Sequence, residues 1–173
     1  NNFIFNGINF LQIKGCSMGS NASPSYANIF MGFFEEKFIY PYIRGLHMLY
    51  LRYIDDIFII WTGTKQQFKS FVENLNKKHP SIKFTYKISD EAVDFLDTTV
   101  YIDTHNQLQT KLYRKPTDKQ NYLHRSSVHP ERLKINIPFS QALRIKRISS
   151  KSNEFEDSCQ NLKRSFIKRG YSD

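Results

Sequence analysis

The spacing of apolar residues predicts two helices in the first half of the chain. Apolar side chains recur at helical intervals in residues 24–40 and again in residues 65–78. Ser23 can cap the first of these helices, and Thr64 with Gln67 can form a capping box at the start of the second. Both segments are therefore predicted to be amphipathic helices that each turn an apolar face toward a core.

Strands are predicted where β-branched and aromatic residues cluster. Three such segments are residues 82–88, 93–102 and 108–114, and the last two are predicted to form a hairpin across residues 103–107. These strands and the two helices predict an antiparallel sheet packed against helices.

The pattern changes from Pro116 onward and predicts helices. They are expected at residues 131–136, 140–148 and 155–169, with Asn153 and Glu156 as a capping pair for the last and Gly170 as its end. The predicted fold class is α+β. Residues 1–115 form the sheet-containing domain, and residues 116–173 form a basic, all-helical or helix-turn-helix-like segment.

Residues 49–61, LYLRYIDDIFIIW, place two adjacent aspartates inside an apolar run. The run predicts two strands with a tight turn at residues 54–56, although Asp-Asp is a poor choice for a turn that favours Asn-Gly or Asp-Gly. Neighbouring carboxylates repel each other unless a cation or hydrogen bonds compensate. Two interpretations stay open at this point: an exposed acidic turn, or a site for Mg²⁺, which prefers oxygen ligands.

The net charge of +9 is concentrated in the last third of the chain. Residues 1–110 carry ten basic and ten acidic side chains, whereas residues 111–173 carry fifteen basic and six acidic ones. Such asymmetry favours a surface that binds a polyanion, with a solvated basic surface as the alternative. Cys16 and Cys159 are far apart and lack metal-ligand spacing, which favours a reducing, intracellular environment.

Several ordered segments resemble the reverse transcriptase of Penelope-like retroelements. LRYIDDIFIIW resembles the metal-binding hairpin of reverse transcriptases, and QIKGCSMGSNASPSYANIFMGFFE is similar to the glycine turn and helix before it. The resemblance continues through VDFLDTTVYID, LQTKLYRKPTDKQNYLHRSSVHPERLK and LKRSFIKRGY, in order and over nearly the whole chain. The resemblance implies a polymerase palm followed by a thumb-like helical segment.

The resemblance also implies a role for the acidic pair. Asp55 and Asp56 would be catalytic carboxylates that bind Mg²⁺ or Mn²⁺, with Asp55 as the residue that bridges two ions. Tyr53 would lie beside the 3′ end of the primer. The implied reaction is RNA-directed DNA synthesis by two-metal nucleotidyl transfer, with an RNA template, a DNA primer and deoxynucleoside triphosphates as partners.

Further positions follow from the same resemblance. Residues expected near the incoming nucleotide and template are Gln12, Gly15 and Gly19, for which ordinary turn chemistry is the alternative. Residues expected to grip the primer are Lys111, Tyr113, Arg114 and Lys115, for which a solvated basic strand is the alternative. On the helix predicted at 140–148, Arg144 and Arg147 lie one turn apart and are expected to contact backbone phosphates.

In reverse transcriptases a further aspartate comes from a strand before the glycine turn. We expect this chain to be a fragment that begins inside a domain and is inactive alone, and we expect Asp94, Asp97 and Asp103 to make local hydrogen bonds instead. A non-catalytic nucleic-acid-binding module and a remnant of a degraded element are the alternatives. No apolar run is long enough to span a bilayer, and the family's need to reach chromosomal DNA implies a nuclear location.

Overall fold

The computed structural model describes residues 2–44, 46 and 48–172, and it shows a mixed α+β protein with small antiparallel sheets. The chain forms two compact units, Asn1–Tyr86 and Lys87–Asp173. The predicted class is therefore confirmed as α+β. The two units divide between residues 86 and 87, upstream of the domain boundary predicted between residues 115 and 116. The predicted boundary separates two functional parts of the chain and stays a prediction.

The first unit begins with a hairpin that the sequence analysis does not predict. Strand β1 spans Asn2–Phe5, strand β2 spans Ile8–Leu11, and the two pair antiparallel. Asn6 and Gly7 join them with φ values of 54° and 76°. Asn-Gly suits this turn because a two-residue hairpin loop favours positive φ at both positions.

The helix predicted at residues 24–40 is longer and less regular than expected. Helix α1 spans Ser23–Phe34, a π-helical segment spans Glu35–Ile39, and the short helix α2 spans Tyr40–Ile43. Ser23 is the first helical residue and not the cap, so that detail of the prediction is wrong. Its hydroxyl donates to the carbonyl of Ser17 at 2.7 Å, which ties the helix to the preceding loop.

The central apolar run forms the predicted strand, turn and strand. Strand β3 spans Leu49–Tyr53 and pairs antiparallel with β4, which spans Asp56–Ile60. Ile54 and Asp55 are the two turn residues. One face of the hairpin packs against the helices through Tyr50, because side chains alternate between the two faces of a strand.

The core of the first unit lies between the helical segments. Helix α3 spans Lys65–Leu75 and buries one apolar face. The hydroxyl of Thr64 accepts the Gln67 amide at 3.2 Å, and the Gln67 side chain accepts the Thr64 amide at 2.8 Å, so the predicted capping box is confirmed. The buried core residues are Phe34, Ile39, Phe71, Val72 and Leu75.

Residues 82–88 do not form the predicted strand. The side-chain amide of Asn76, just after α3, donates to the carbonyl of Phe84 at 3.0 Å and accepts its N–H at 2.6 Å. The prediction is wrong because one side chain satisfies the backbone groups that a neighbouring strand would otherwise satisfy. Ile82 and Phe84 still pack against the core.

The second unit contains a three-stranded antiparallel sheet in the order β5-β6-β7. Strand β5 spans Ala92–Phe95, β6 spans Thr98–Ile102 and β7 spans Leu108–Leu112. The β6–β7 hairpin is confirmed.

The single strand predicted over residues 93–102 is divided by a turn at Leu96 and Asp97. Leu96 has a φ of 55°, and the turn brings Val93 opposite Val100. The prediction is wrong because two short strands can pair with each other and place these valines on one face, whereas one continuous strand would keep them apart.

Two helices end the chain. Helix α4 spans Glu131–Ile148 and joins the two helices predicted in that region, because Pro138 removes one backbone donor without breaking the helix. Helix α5 spans Ser152–Ile167 without a side-chain cap, so the capping pair predicted for it is wrong. Residues 116–130 contain no helix, which corrects the all-helical prediction for this segment.

The helices of the second unit pack on its sheet. Ile145, Leu162 and Phe166 form the buried core. The amide of Ser150, between α4 and α5, donates to the carbonyl of Thr110, and its hydroxyl accepts the Thr110 amide, both at 2.9 Å. Gly170 takes a φ of 81° just past α5, as predicted for a helix end. None of the helices among the described residues is long and apolar enough to cross a bilayer.

Candidate metal and nucleic-acid sites

The acidic pair lies at an exposed turn of the first unit. Asp55 is the second turn residue and Asp56 is the first residue of β4, and both are exposed. Within residues 2–44, 46 and 48–172, neither carboxylate has a hydrogen bond or an ion pair. Exposed carboxylate oxygens without protein partners are suitable ligands for Mg²⁺ or Mn²⁺.

The two carboxylates form only part of a metal-ligand set. Across the described ranges, no group of three or more His, Cys, Asp or Glu side chains is placed to hold a metal ion. Mg²⁺ is commonly bound by one or two carboxylates together with water and substrate phosphates. Asp55 and Asp56 therefore fit such an ion as two ligands of an incomplete set.

The backbone of this turn is strained. Ile54 has a φ of 55°, which is a genuine outlier for a β-branched residue. Such a conformation costs about 1–3 kcal/mol and persists only where the surrounding structure holds it. The contacts around Ile54 therefore hold this backbone conformation, because isoleucine itself disfavours a positive φ.

Arg52 supplies the contact to this turn. Its Nη1 atom donates to the carbonyl of Ile54 at 3.0 Å and to Oδ1 of Asn28 on α1 at 2.8 Å. Its Nε and Nη2 atoms donate to the two carboxylate oxygens of Glu35 at 2.5 and 3.1 Å. One guanidinium group thus joins the turn, α1 and the π-helical segment.

Glu35 is the buried centre of this network. It is 4% exposed and accepts a third hydrogen bond from the hydroxyl of Tyr50 at 2.7 Å. Burial and then the hydrogen bond to Glu35 raise the pKa of Tyr50, and the hydrogen bond to Glu35 raises the pKa of Arg52. Tyr50 and Arg52 therefore keep their protons throughout the physiological range.

The glycine turn before α1 has the conformation that its glycines predict. Gly15 and Gly19 have φ values of 77° and 89°. The side chain of Gln12 donates to the carbonyl of Lys14 at 2.9 Å. Gln12, Gly15 and Tyr26 are among the residues that line an open cavity of about 280 Å³. A Cβ atom on Gly19 would meet no atom within 4 Å, so its positive φ is what favours glycine there.

Helix α1 connects the glycine turn to the aspartate turn. Ser23 at its start is bonded to Ser17 of the glycine turn, and Asn28 is bonded to Arg52, which holds Ile54. Five residues of helix extend about 7.5 Å. The two turns are therefore attached to the first half of the same helix.

Tyr53 lies beside the acidic pair. It is directly opposite Asp56 in the β3–β4 register, and its side chain is 59% exposed. Residues that pair across a hairpin share a face, so Tyr53 and Asp56 lie on the face opposite Arg52. An exposed aromatic ring at this position can stack on a nucleic-acid base.

The second unit contains an open cavity of about 320 Å³ lined by both basic and acidic groups. Three of its basic residues are Arg114, Lys115 and Arg144. The Nη1 atom of Arg114 is buried and has no hydrogen-bond partner within the described part of the chain. The three cations that line the cavity favour an anionic ligand there.

The structure brings together some of the residues predicted to bind the primer or the nucleic-acid backbone. Tyr113 lines the same cavity as the three basic residues. Lys111 instead lies over the Tyr101 ring, with its Nζ atom 5.0 Å from the ring centroid. Arg147 is exposed on α4 and is not among the lining residues, whereas Arg144 lines the cavity and pairs with Asp97.

Three aspartates of the second unit make the local contacts predicted for them. Asp94 accepts the Thr99 hydroxyl at 2.7 Å, and Asp97 pairs with Arg144 at 2.7 Å. Asp103 pairs with Lys151 and also accepts backbone N–H groups, and these bonds lower its pKa well below the ordinary range. These three carboxylates are therefore engaged within the unit.

Arg52 and Glu35 are not among the site residues predicted from the sequence. A signal was present, because each is a charged residue inside an apolar segment and the two charges are opposite. Buried charges are normally paired, so one such residue indicates another. The apolar spacing does not predict the π-helical segment, which begins at Glu35.

Residues 121–173 match the family model of the animal helix-turn-helix domain. The matched segment contains α4 and α5, and it falls within the part of the chain predicted to be basic and helix-turn-helix-like. No curated protein and no solved structure matches the chain.

Proposed function

We propose that this chain is the palm and thumb-like part of an RNA-directed DNA polymerase of a Penelope-like retroelement. The observation that carries the proposal is the acidic turn, where Asp55 and Asp56 are exposed and unpaired among the described residues. A strained turn tied to a buried ion pair is a costly way to present two charges, and such features cluster at functional sites.

The proposed roles follow from the positions of the side chains. Asp55 and Asp56 hold the cations, and Tyr53 on the same hairpin contacts the primer end. Gln12 and Gly15 lie at a cavity attached to the same helix, where an incoming nucleotide and the template can approach. Divalent ions held by Asp55 and Asp56 would supply activation of the primer 3′-hydroxyl and stabilisation of the leaving pyrophosphate.

The resemblance implies one more catalytic aspartate on a strand before the glycine turn. With two ligand groups at the acidic turn, the 173-residue chain is expected to bind Mn²⁺ weakly and not to extend a primer. A longer chain that includes such a strand, the upstream-extended chain, is expected to polymerise.

The second unit supports contact with a nucleic-acid backbone. Its cavity combines Arg114, Lys115 and Arg144. The match to a helix-turn-helix domain over residues 121–173 points to the same kind of partner. An RNA–DNA hybrid is the partner that the polymerase proposal requires.

Primer extension on an RNA template tests the proposal. The upstream-extended chain should extend the primer in the presence of Mg²⁺, and Asp55→Asn should abolish extension while the fold is retained. Glu73→Gln is the matched control, because it neutralises an exposed acid of the same unit on α3. Substantial extension by the Asp55→Asn variant would exclude the proposed role.

The helix-turn-helix match also favours a second candidate, a non-catalytic nucleic-acid-binding module. That module would bind nucleic acid through the second unit whether or not the acidic pair is intact. The extended chain would then bind an RNA–DNA hybrid and fail to extend the primer. Its affinity for the hybrid would be unchanged by Asp55→Asn.

A further inference from the structure

One arginine links the aspartate turn to helix α1, and the proposed function gives it no role. Nη1 of Arg52 donates to the carbonyl of Ile54, the residue before Asp55, and also to Asn28. Both carboxylate oxygens of Glu35 accept from the rest of the guanidinium group. The side chains of Arg52 and Glu35 are 12% and 6% exposed, so their ion pair is held largely away from solvent, whereas the bonds from Nη1 to Asn28 and Ile54 are exposed.

Arginine is the side chain that can make all of these contacts together. Its guanidinium group is planar and presents five N–H donors in a fixed fork. A lysine ammonium is a compact charge that can pair with Glu35 but cannot also reach Asn28 and Ile54. Replacing Arg52 with lysine therefore keeps the charge and removes the link.

The hydrogen bond from Arg52 can affect the backbone conformation of Ile54. Its φ of 55° is disfavoured for a β-branched side chain, so the residue would leave this conformation if its surroundings allowed. A hydrogen bond to its carbonyl opposes that change. The direction of the Asp55 and Asp56 side chains depends on the same backbone, because they directly follow Ile54.

We propose that Arg52 is a positioning residue that holds the Ile54 carbonyl against α1 and so sets the direction in which Asp55 and Asp56 present their carboxylates to a divalent cation. The inference rests on the proposed metal-binding role of these aspartates. It also explains the buried Glu35, which fixes the opposite side of the guanidinium group and keeps Nη1 aimed at the turn.

The test uses the 173-residue chain with Mn²⁺ as the probe. Paramagnetic broadening of the Asp55 and Asp56 amide resonances measures binding at the turn. The intraresidue NOE between the amide and α protons of Ile54 measures its φ. Arg52→Lys is the test variant. Arg44→Lys is the matched control, because Arg44 also pairs with a glutamate of the same unit, Glu36, but is largely exposed.

We expect the Arg52→Lys variant to stay folded, lose the strong Ile54 NOE and bind Mn²⁺ at least about tenfold more weakly, since partners that orient metal ligands contribute this much to affinity. The control should match the unchanged chain in both measurements. A folded Arg52→Lys variant with the same NOE and the same Mn²⁺ affinity would overturn the inference. If this variant unfolds, the same two measurements on Asn28→Ala test the inference. That substitution removes one hydrogen-bond partner of Nη1 and leaves the Arg52–Glu35 pair intact.

Ile54→Gly separates positioning from a merely structural role. Glycine adopts positive φ without steric cost, so the turn should depend less on Arg52 in this background. Arg52→Lys should therefore weaken Mn²⁺ binding less in the Ile54→Gly chain than in the unchanged chain, whereas an equal loss would contradict the inference. Absence of Mn²⁺ broadening in the unchanged chain would count against the proposed metal site, and the Ile54 NOE would still decide the role of Arg52.

Discussion

The Nε atom of Arg144 lies 2.7 Å from Oδ2 of Asp97, so a cation expected to bind phosphate is already paired with a carboxylate of the same unit. Both side chains are partly exposed, at 46% and 40%, and both line the cavity that contains Arg114 and Lys115. An exposed ion pair of this kind contributes only about 0–1 kcal/mol. A phosphate group can therefore compete with Asp97 for Arg144.

Removing the Asp97 charge should strengthen binding to a nucleic-acid backbone. Asp97→Asn leaves Arg144 without its anionic partner, so we expect tighter binding of an RNA–DNA hybrid and a salt dependence steeper by up to about 0.9 in log affinity against log salt. A salt titration measures both. The control is Asp157→Asn, which removes an equal charge from the exposed side of α5. Equal gains in the two variants would indicate a general charge effect and contradict a specific role for Asp97.

Arg144 and Arg147 should both contribute to the salt dependence. The Arg144→Ala/Arg147→Ala variant should flatten the slope by about 0.9 to nearly two units, depending on how fully phosphate displaces Asp97 from Arg144, and weaken binding to all sequences alike. Lys146→Ala is the control, because Lys146 lies on the same helix with its Nζ atom 4.9 Å from the Phe155 ring centroid. An unchanged slope for the double variant, or strong preference for one base sequence, would instead indicate a module that reads bases.

Local signals in the sequence predict several elements of the first unit. The capping box at Thr64 and the β3–β4 hairpin follow from residue types within a few positions of each other. The β1–β2 hairpin could also have been predicted, since Asn6-Gly7 is a strong turn signal.

Some of the errors come from specific side-chain contacts that residue patterns do not record. Phe84 is not in a strand because Asn76 binds its backbone, and Arg52 reaches Glu35 and Asn28 across 17 and 24 residues. Apolar spacing does not contain such information. The acidic pair itself could be predicted because its two residues are adjacent, whereas the network that holds it could not.

The second unit should lose a stabilising contribution at high pH through Tyr101. Burial and a hydrogen bond to Glu154, 2.6 Å long, raise the pKa of Tyr101 to about 12, compared with about 10 in an unfolded chain. The folded state therefore binds this proton more tightly. The contribution should be fully present below pH 10 and should decrease as the pH rises through 12.

Chemical denaturation at a series of pH values from 8 upward measures this effect by comparison with Tyr101→Phe. Groups that titrate equally in the two chains cancel in the difference. The difference in the free energy of unfolding should be constant below pH 10 and shrink above it. A difference that does not change with pH would show that the Tyr101 proton contributes nothing to stability.

Mn²⁺ should reverse the order of stability of the unchanged chain and the Asp55→Asn variant. Without metal, Asp55→Asn should slightly raise the melting temperature, because it removes repulsion between two adjacent carboxylates that have no described partner. With Mn²⁺ at 100 times its dissociation constant, the unchanged chain should gain about 2.7 kcal/mol, provided that the ion binds the folded state alone. The Asp55→Asn variant should gain much less, so the order of the two melting temperatures should reverse.

Calorimetric melting of both chains with and without Mn²⁺ measures this reversal, and Glu73→Gln again serves as the control. If Mn²⁺ stabilises all three chains equally, the ion binds elsewhere and Asp55 is not its ligand.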